Sequence, residues 1–235
     1  MTWLNPYIPL VDSEPELILS PGNLRSFDEI GAIIKRLSHT YQDLALELGS
    51  GSGGHLIERS MRDPSALHIG FELRFKRTYR TIEKAKRAGV RNLLMVHSKA
   101  QNAPKIFEPG SIRAIYVNFP DPWDKRRWEK HRLLSSQFLD EIARLLKPGG
   151  FFSYKTDHQE CFEQVLTSLE NKPFYKVSKL TFDIKSSEFA ASNIESEFER
   201  LFYSQGVNVH YLEAIKAGSD NVAKPAATVG VQNLT

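Results

Sequence analysis

The order in which short apolar runs and amphipathic segments follow one another leaves this chain few folds. Leu44 to Leu48, Leu67 to Glu72, Asn92 to Val96, Ile112 to Asn118 and Phe151 to Lys155 each read as a short, buried strand. Helical segments lie between them: one from the glycine turn after Leu48 to about Arg62, one from Arg74 to Ala88 stopped by Gly89, and one from Leu133 to Leu146. Successive strands joined through helices pair parallel, so the alternation predicts an α/β domain with a mostly parallel sheet and helices on both faces. A further helix over Gln159 to Leu169 and strands over Tyr175 to Thr181 and Val207 to Ala214 bring the expected sheet to seven strands. The domain is expected over residues 41–216. Residues 1–40 read as an N-terminal extension in which Leu24 to Leu37 is the one legible helix. Residues 217–235 mix Gly, Ala, Asn, Thr and Pro without periodicity and are expected to form a flexible tail.

With 235 residues, the chain can bury one substantial core. No apolar stretch approaches the roughly 20 residues needed to span a bilayer, and no basic, then apolar leader opens the chain, so a soluble cytoplasmic protein is expected. Cys161 is the only cysteine, which excludes an internal disulfide and a multi-cysteine zinc site; it is expected in the core. His55, His131 and His158 lack metal-ligand spacing, so no metal is expected. The net charge is only +3, but the cations are clustered. Arg74 to Arg91 holds eight Lys or Arg against the single acid Glu83, and a second group comprises Lys125, Arg126, Arg127, Lys130 and Arg132. Those five side chains would neutralise phosphates of a nucleic acid, whereas the bland alternative for either cluster is a solvated helix face.

Two segments carry chemistry. Gly49, Gly51 and Gly54 in the turn after the first strand spell G-x-G-x-x-G, which lets a ligand approach backbone at a helix amino end. Glu72, closing the next strand, could accept from a ribose diol, a need shared by dinucleotide and S-adenosylmethionine (SAM) folds. Glu47 tips the balance toward SAM, since a carboxylate there disfavours a pyrophosphate but can hold a cationic amino-acid moiety; the plainer alternative is a strand-end acid satisfied by backbone donors. The second segment is Asn118-Phe119-Pro120-Asp121-Pro122-Trp123. Each proline fixes φ near −65° and biases its predecessor away from helix, so Asp121 is expected to be held rigidly at a strand's carboxyl end. Trp123 is expected to be a packed corner residue, and Trp128, among charges, to stack on a base or cover a helix.

These residues resemble the bacterial tRNA (guanine-N7)-methyltransferases, of the Rossmann-like class I SAM-dependent fold. The resemblance spans about Leu44 to Lys216 and is carried by Glu47-Leu48-Gly49-Ser50-Gly51-Ser52-Gly53, Ile69-Gly70-Phe71-Glu72, Asn118 to Arg132, Leu146 to Gly150, Lys155-Thr156-Asp157 and Ser196-Glu197-Phe198-Glu199. It implies an enzyme that moves a methyl group from SAM to guanine N7 in the variable loop of tRNA, as a monomer or homodimer. Carried over by position, Glu47, Gly49, Gly51, Glu72, Lys99 and Asp121 fall on the cofactor side, and Lys125, Asp157, Ser196, Glu197, Phe198 and Glu199 on the tRNA side. Asp121 borders both pockets and is the catalytic candidate, while Asp157 and Glu199 are the candidates for reading the guanine edge. Lys99 stands where the family usually has aspartate, and a lysine cannot accept from an adenine amino group. The acceptor would then be Ser98 or a backbone carbonyl, or SAM would bind less tightly. Serine at position 196 replaces the family's usual threonine and keeps the hydroxyl. The competing readings are a non-catalytic RNA-binding or scaffolding protein on the same fold, and an NAD-linked oxidoreductase, which leaves the Pro-Asp-Pro-Trp corner unexplained.

Overall fold

The structure, a computed structural model, describes residues 5–22, 25–123 and 131–218. Its strands are β1 (Ile18–Leu19), β2 (Asp43–Leu48), β3 (Ala66–Phe71), β4 (Leu93–Val96), β5 (Ile112–Asn118), β6 (Leu146–Thr156), β7 (Tyr175–Thr181) and β8 (His210–Lys216). Its helices are α1 (Tyr7–Asp12), α2 (Phe27–Ser38), α3 (Gly54–Arg62), α4 (Phe75–Arg87), α5 (Ser136–Leu145), α6 (Gln159–Glu170) and α7 (Glu197–Ser204).

The strands form one sheet in the order β1-β4-β3-β2-β5-β6-β8-β7. All pairings are parallel except those of β8, which runs antiparallel to both β6 and β7. The sheet therefore has eight strands where seven were expected. The addition is β1, which pairs Ile18 with Met95 and Leu19 with Val96. Two residues are too few to show a period, so this strand was invisible in the sequence. The described N-terminal residues also pack into the domain: Leu19, Ile30 and Ile34 join the main core and Val11 and Ile18 a second cluster, all at most 2% exposed. Helix α2 starts at a reciprocal cap, Ser26 accepting from the Glu29 amide while the Glu29 side chain accepts from the Ser26 amide.

Helix α5 begins later than expected, because the Ser135 hydroxyl accepts from the Phe138 amide at 3.2 Å and sets the start there. β2 and β3 are buried on nearly every residue, as strands covered on both faces must be. Chain order reverses at β2, which has β3 on one side and β5 on the other. The helices leaving these strands diverge there, opening the crevice at the carboxyl ends where α/β sheets bind ligands.

Candidate active site

A cleft of about 490 Å³ occupies that crevice. Glu47, Gly49, Gly51, Glu72, Lys99, Asp121, Ser196, Glu197 and Phe198 all line it. Sequence positions separated by up to about 150 residues meet there because the strand order brings the ends of β2, β3, β4 and β5 side by side.

The floor is built on Glu47, only 2% exposed at the end of β2. Asn118, closing β5, donates from Nδ2 to Glu47 Oε1 at 2.9 Å and so bridges the reversal point. Glu47 Oε2 lies 3.2 Å from His55 Nδ1, at ion-pair distance. That contact is not aligned as a hydrogen bond, so Oε2 is a buried acceptor without a hydrogen-bond donor, and Asn118 Oδ1 is another. Buried acceptors left open in this way are costly unless something supplies donors.

The glycine turn crosses above them. Gly49 and Gly51 have φ of 82° and 56°, and a Cβ on either would meet nothing within 4 Å, so both present bare backbone to the cleft. The third special glycine is Gly53 and not Gly54 as the literal motif suggested. Gly53 caps α3 at φ 79°, and a Cβ there would stand 2.3 Å from Thr81 Cγ2. Across the cleft Glu72, 7% exposed, accepts from the Arg74 amide at 2.8 Å, which turns its carboxylate at the end of β3.

The Pro-Asp-Pro-Trp corner follows β5. Phe119 and Trp123 both have φ near +50°, a conformation bulky residues avoid, and they flank an exposed Asp121. Phe119 is held there by aromatic contacts to Phe202 at 5.4 Å and Phe198 at 6.1 Å. Trp123 is not the packed residue expected: it is 38% exposed, lines the cleft and meets His131 at 5.2 Å. Arg132 is partly committed to this corner, donating from Nε to the Pro122 carbonyl at 2.8 Å. Lys125, Arg126, Arg127 and Lys130, with Trp128, lie outside the described residues.

The segment at the start of α7 closes the other wall. The Ser52 hydroxyl in the glycine turn donates to Glu197 Oε2 at 2.5 Å, and Lys84 Nζ donates to Glu197 Oε1 at 3.1 Å. The Ser52 bond and the Lys84 ammonium hold the Glu197 carboxyl below its ordinary range. Glu199 does not line the cleft and cannot read a guanine edge in this arrangement. It is fully buried, with its oxygens spent on Lys155 Nζ at 2.8 Å, the Tyr203 hydroxyl at 3.1 Å, the Asn193 amide and the Ser196 amide. Burial depresses the Lys155 pKa while the Glu199 charge raises it, the signature of an interior ion pair. Asp157, half-buried just past β6, also stands outside the cleft lining.

Asn118, His55 and Gln101 are cleft residues that motif reasoning assigned no role. Asn118 stood inside the corner motif, so its position at a strand end was a usable signal; nothing local marks the other two. Gln101 brings an amide to the Lys99 end of the cleft. Ser98 nearby is 5% exposed, and its hydroxyl accepts from Asn102 Nδ2 at 3.0 Å. Among the described residues no cluster of His, Cys, Asp and Glu could hold a metal, and no helix is long and apolar enough to cross a membrane.

Residues 41–212 match a family model described as a putative methyltransferase. The chain is 32% identical to the tRNA (guanine-N(7)-)-methyltransferase of Lactiplantibacillus plantarum over 86% of its own length and 92% of that protein. It is 32% identical to the enzyme of the same name from Limosilactobacillus fermentum over 88% and 94%. It also matches a bifunctional glycosyltransferase/methyltransferase of Fusobacterium nucleatum at 32% identity over 74% of this chain, which spans only 27% of that larger protein. Among solved structures, the 16S rRNA methyltransferase KamB superposes with a TM-score of 0.60 at 19% identity, covering 80% of this chain and 94% of that one, a likeness of fold. By its match to that family model and to these relatives over most of their length, the chain belongs to the tRNA (guanine-N7)-methyltransferase family.

Proposed function

We propose that the protein transfers a methyl group from SAM to N7 of a guanine in the variable loop of tRNA. The observation that carries this is the pair of buried, donor-less acceptors, Glu47 Oε2 and Asn118 Oδ1, at the reversal point of a chain in this family. An ammonium has donors only and would satisfy both, which is the fit expected for the amino-acid end of SAM and not for a pyrophosphate. Bare backbone at Gly49 and Gly51 would give the cofactor room, and Glu72 would accept from its ribose diol. The Gln101 amide or a backbone carbonyl beside Ser98 would accept from the adenine amino group where Lys99 cannot.

SAM supplies an electrophilic methyl carried on a sulfonium. Guanine N7 has an in-plane lone pair and no proton, so attack needs no general base. Bound SAM would give up its methyl so that a C–N bond forms as the S–C bond breaks, the S–C electron pair going to sulfur and the positive charge to the purine. The protein's task is alignment and charge stabilisation. Orientation of this kind is worth roughly 7–11 kcal/mol in favourable intramolecular cases. Asp121, held between the strained Phe119 and Trp123, is the carboxylate that faces the developing charge. Trp123 offers an exposed aromatic surface beside it.

On the tRNA side, Lys125, Arg126, Arg127, Lys130 and Arg132 neutralise phosphates, and Asp157, Ser196, Glu197 and Phe198 border the guanine's approach. The work is cytoplasmic, by a monomer or homodimer.

The test is transfer of labelled methyl from SAM to an unmodified tRNA transcript, beside one whose variable-loop guanine is adenine. Incorporation into the guanine transcript alone is expected. Binding of tRNA without incorporation would favour a non-catalytic RNA-binding protein.

A further inference from the structure

The Pro-Asp-Pro-Trp corner is anchored at both ends. Phe119 and Trp123, with φ of 51° and 50°, bracket Pro120, Asp121 and Pro122 in a conformation that bulky residues leave unless their surroundings hold them. At the first end the Phe119 amide donates to the Lys155 carbonyl at 2.9 Å, and the Phe119 ring meets those of Phe198 and Phe202. The second end is held from behind. The Pro122 carbonyl accepts from Arg132 Nε at 2.8 Å and from Cys161 Sγ at 3.6 Å. Arg132 is fixed in its turn by α6: its Nη1 donates to Gln164 Oε1, while Gln164 Nε2 donates to Glu160 Oε1 at 3.2 Å.

Behind the corner lies a cavity of about 220 Å³, lined by Arg132, Cys161 and Gln164. Asp121 is exposed and borders both this cavity and the cleft, so the backbone on either side of it, rather than packing against its carboxylate, sets where it points. A guanidinium is planar and carries its donors in a fixed fork, so Nε and Nη1 hold two acceptors at a set spacing that a single ammonium does not reproduce. We propose that Arg132 is a positioning residue for methyl transfer: besides any phosphate it meets, its fork ties the Pro122 carbonyl to Gln164 on α6 and so keeps Asp121 at the cleft. This rests on the role given to Asp121 above, and Arg132 acts on the reaction only through the corner.

The experiment measures, on the full chain, the single-turnover rate of methyl transfer from SAM to the guanine-bearing transcript at saturating enzyme, with tRNA affinity across a salt series and melting curves alongside. Arg132→Lys keeps the charge and loses the fork. Gln164→Leu removes the far anchor at an exposed position of α6 and alters no charge. Arg132→Lys is expected to slow transfer about tenfold, within the roughly hundredfold that a misplacement of about 1 Å can cost. Its tRNA affinity and salt slope stay at wild-type values, because the cation is retained. Gln164→Leu slows transfer about fivefold, the worth of one ordinary hydrogen bond, again at unchanged tRNA affinity. A wild-type rate in folded Arg132→Lys or in Gln164→Leu would overturn the positioning role, whatever the melting temperature does, since a purely structural staple leaves the saturated rate untouched. A loss confined to tRNA affinity would also overturn it and leave Arg132 as a phosphate contact. Should Arg132→Lys fail to fold, Gln164→Leu decides alone. A wild type that transfers no methyl to the guanine transcript would instead overturn the proposed function, and the positioning role with it.

Discussion

Glu47 and Glu199 are both buried carboxylates, and their partners separate their roles. Glu199 is saturated by Lys155, Asn193, Tyr203 and the Ser196 amide, so it ties β6 to the start of α7. Glu47 keeps an oxygen without a hydrogen-bond donor. Removing one member of a buried pair strands the other, at a cost of about 3–5 kcal/mol. Glu199→Ala is therefore expected to lower the melting temperature markedly, with the double change Glu199→Leu, Lys155→Met recovering much of the loss; a melting curve unmoved by Glu199→Ala would refute the structural role. Asp157→Ala is expected to abolish turnover while SAM affinity stays intact, and normal turnover would remove Asp157 from guanine recognition. From sequence, both Asp157 and Glu199 qualified equally for that role. Residue type gives hydrogen-bonding capacity, but whether that capacity is already spent depends on neighbours brought from distant chain positions.

Helix α7 is tied through the Glu197 side chain to both the glycine turn and α4. The Glu197 carboxyl titrates below its ordinary value of 4.5, chiefly through the Ser52 hydrogen bond. A carboxyl with a depressed folded-state pKa adds stability that is complete above its unfolded value and lost as pH falls through the folded one. The clasp is thus closed near neutrality and opens only in acid. Glu197→Gln is expected to mimic that opening at neutral pH, seen as faster proteolysis at the start of α7 and faster cofactor dissociation; unchanged rates would show the clasp to be incidental. At the other wall, α4 pairs Arg80, Lys84, Lys86 and Arg87 with acids, whereas Arg74 and Arg77 line the cleft at the helix end where cations are disfavoured. If tRNA phosphate meets them, Arg77→Glu lowers the slope of log affinity against log salt by about 1. An unaltered slope would leave this turn as solvated surface. The sequence displayed the charge of α4 in full; the assignment of each cation to an acid or to the cleft follows from packing.

His68 and His97, on and just after adjoining central strands, are both pushed below their ordinary value of 6.5 by burial. The folded chain keeps them neutral where the unfolded chain would protonate them, so stability is complete above about pH 6.5 and falls as pH drops below it. The urea midpoint is expected to decline across that window, less so in His68→Asn, and a flat profile in the wild type would contradict it. The alternation of strands and helices, the glycine turn and the strand-end acids were legible in the chain because period and turn chemistry are local. That is why the parallel sheet and the general place of the cleft followed from reading alone. Strand β1 did not, since two residues carry no period and its pairing partner lies at Met95. Nor did the bridge from Asn118 to Glu47, made across 71 positions of sequence. Such contacts exist only once the order β4-β3-β2-β5 sets the strand ends side by side. Local propensity specifies each strand, but which side chains face one another across the crevice is a property of the assembled sheet.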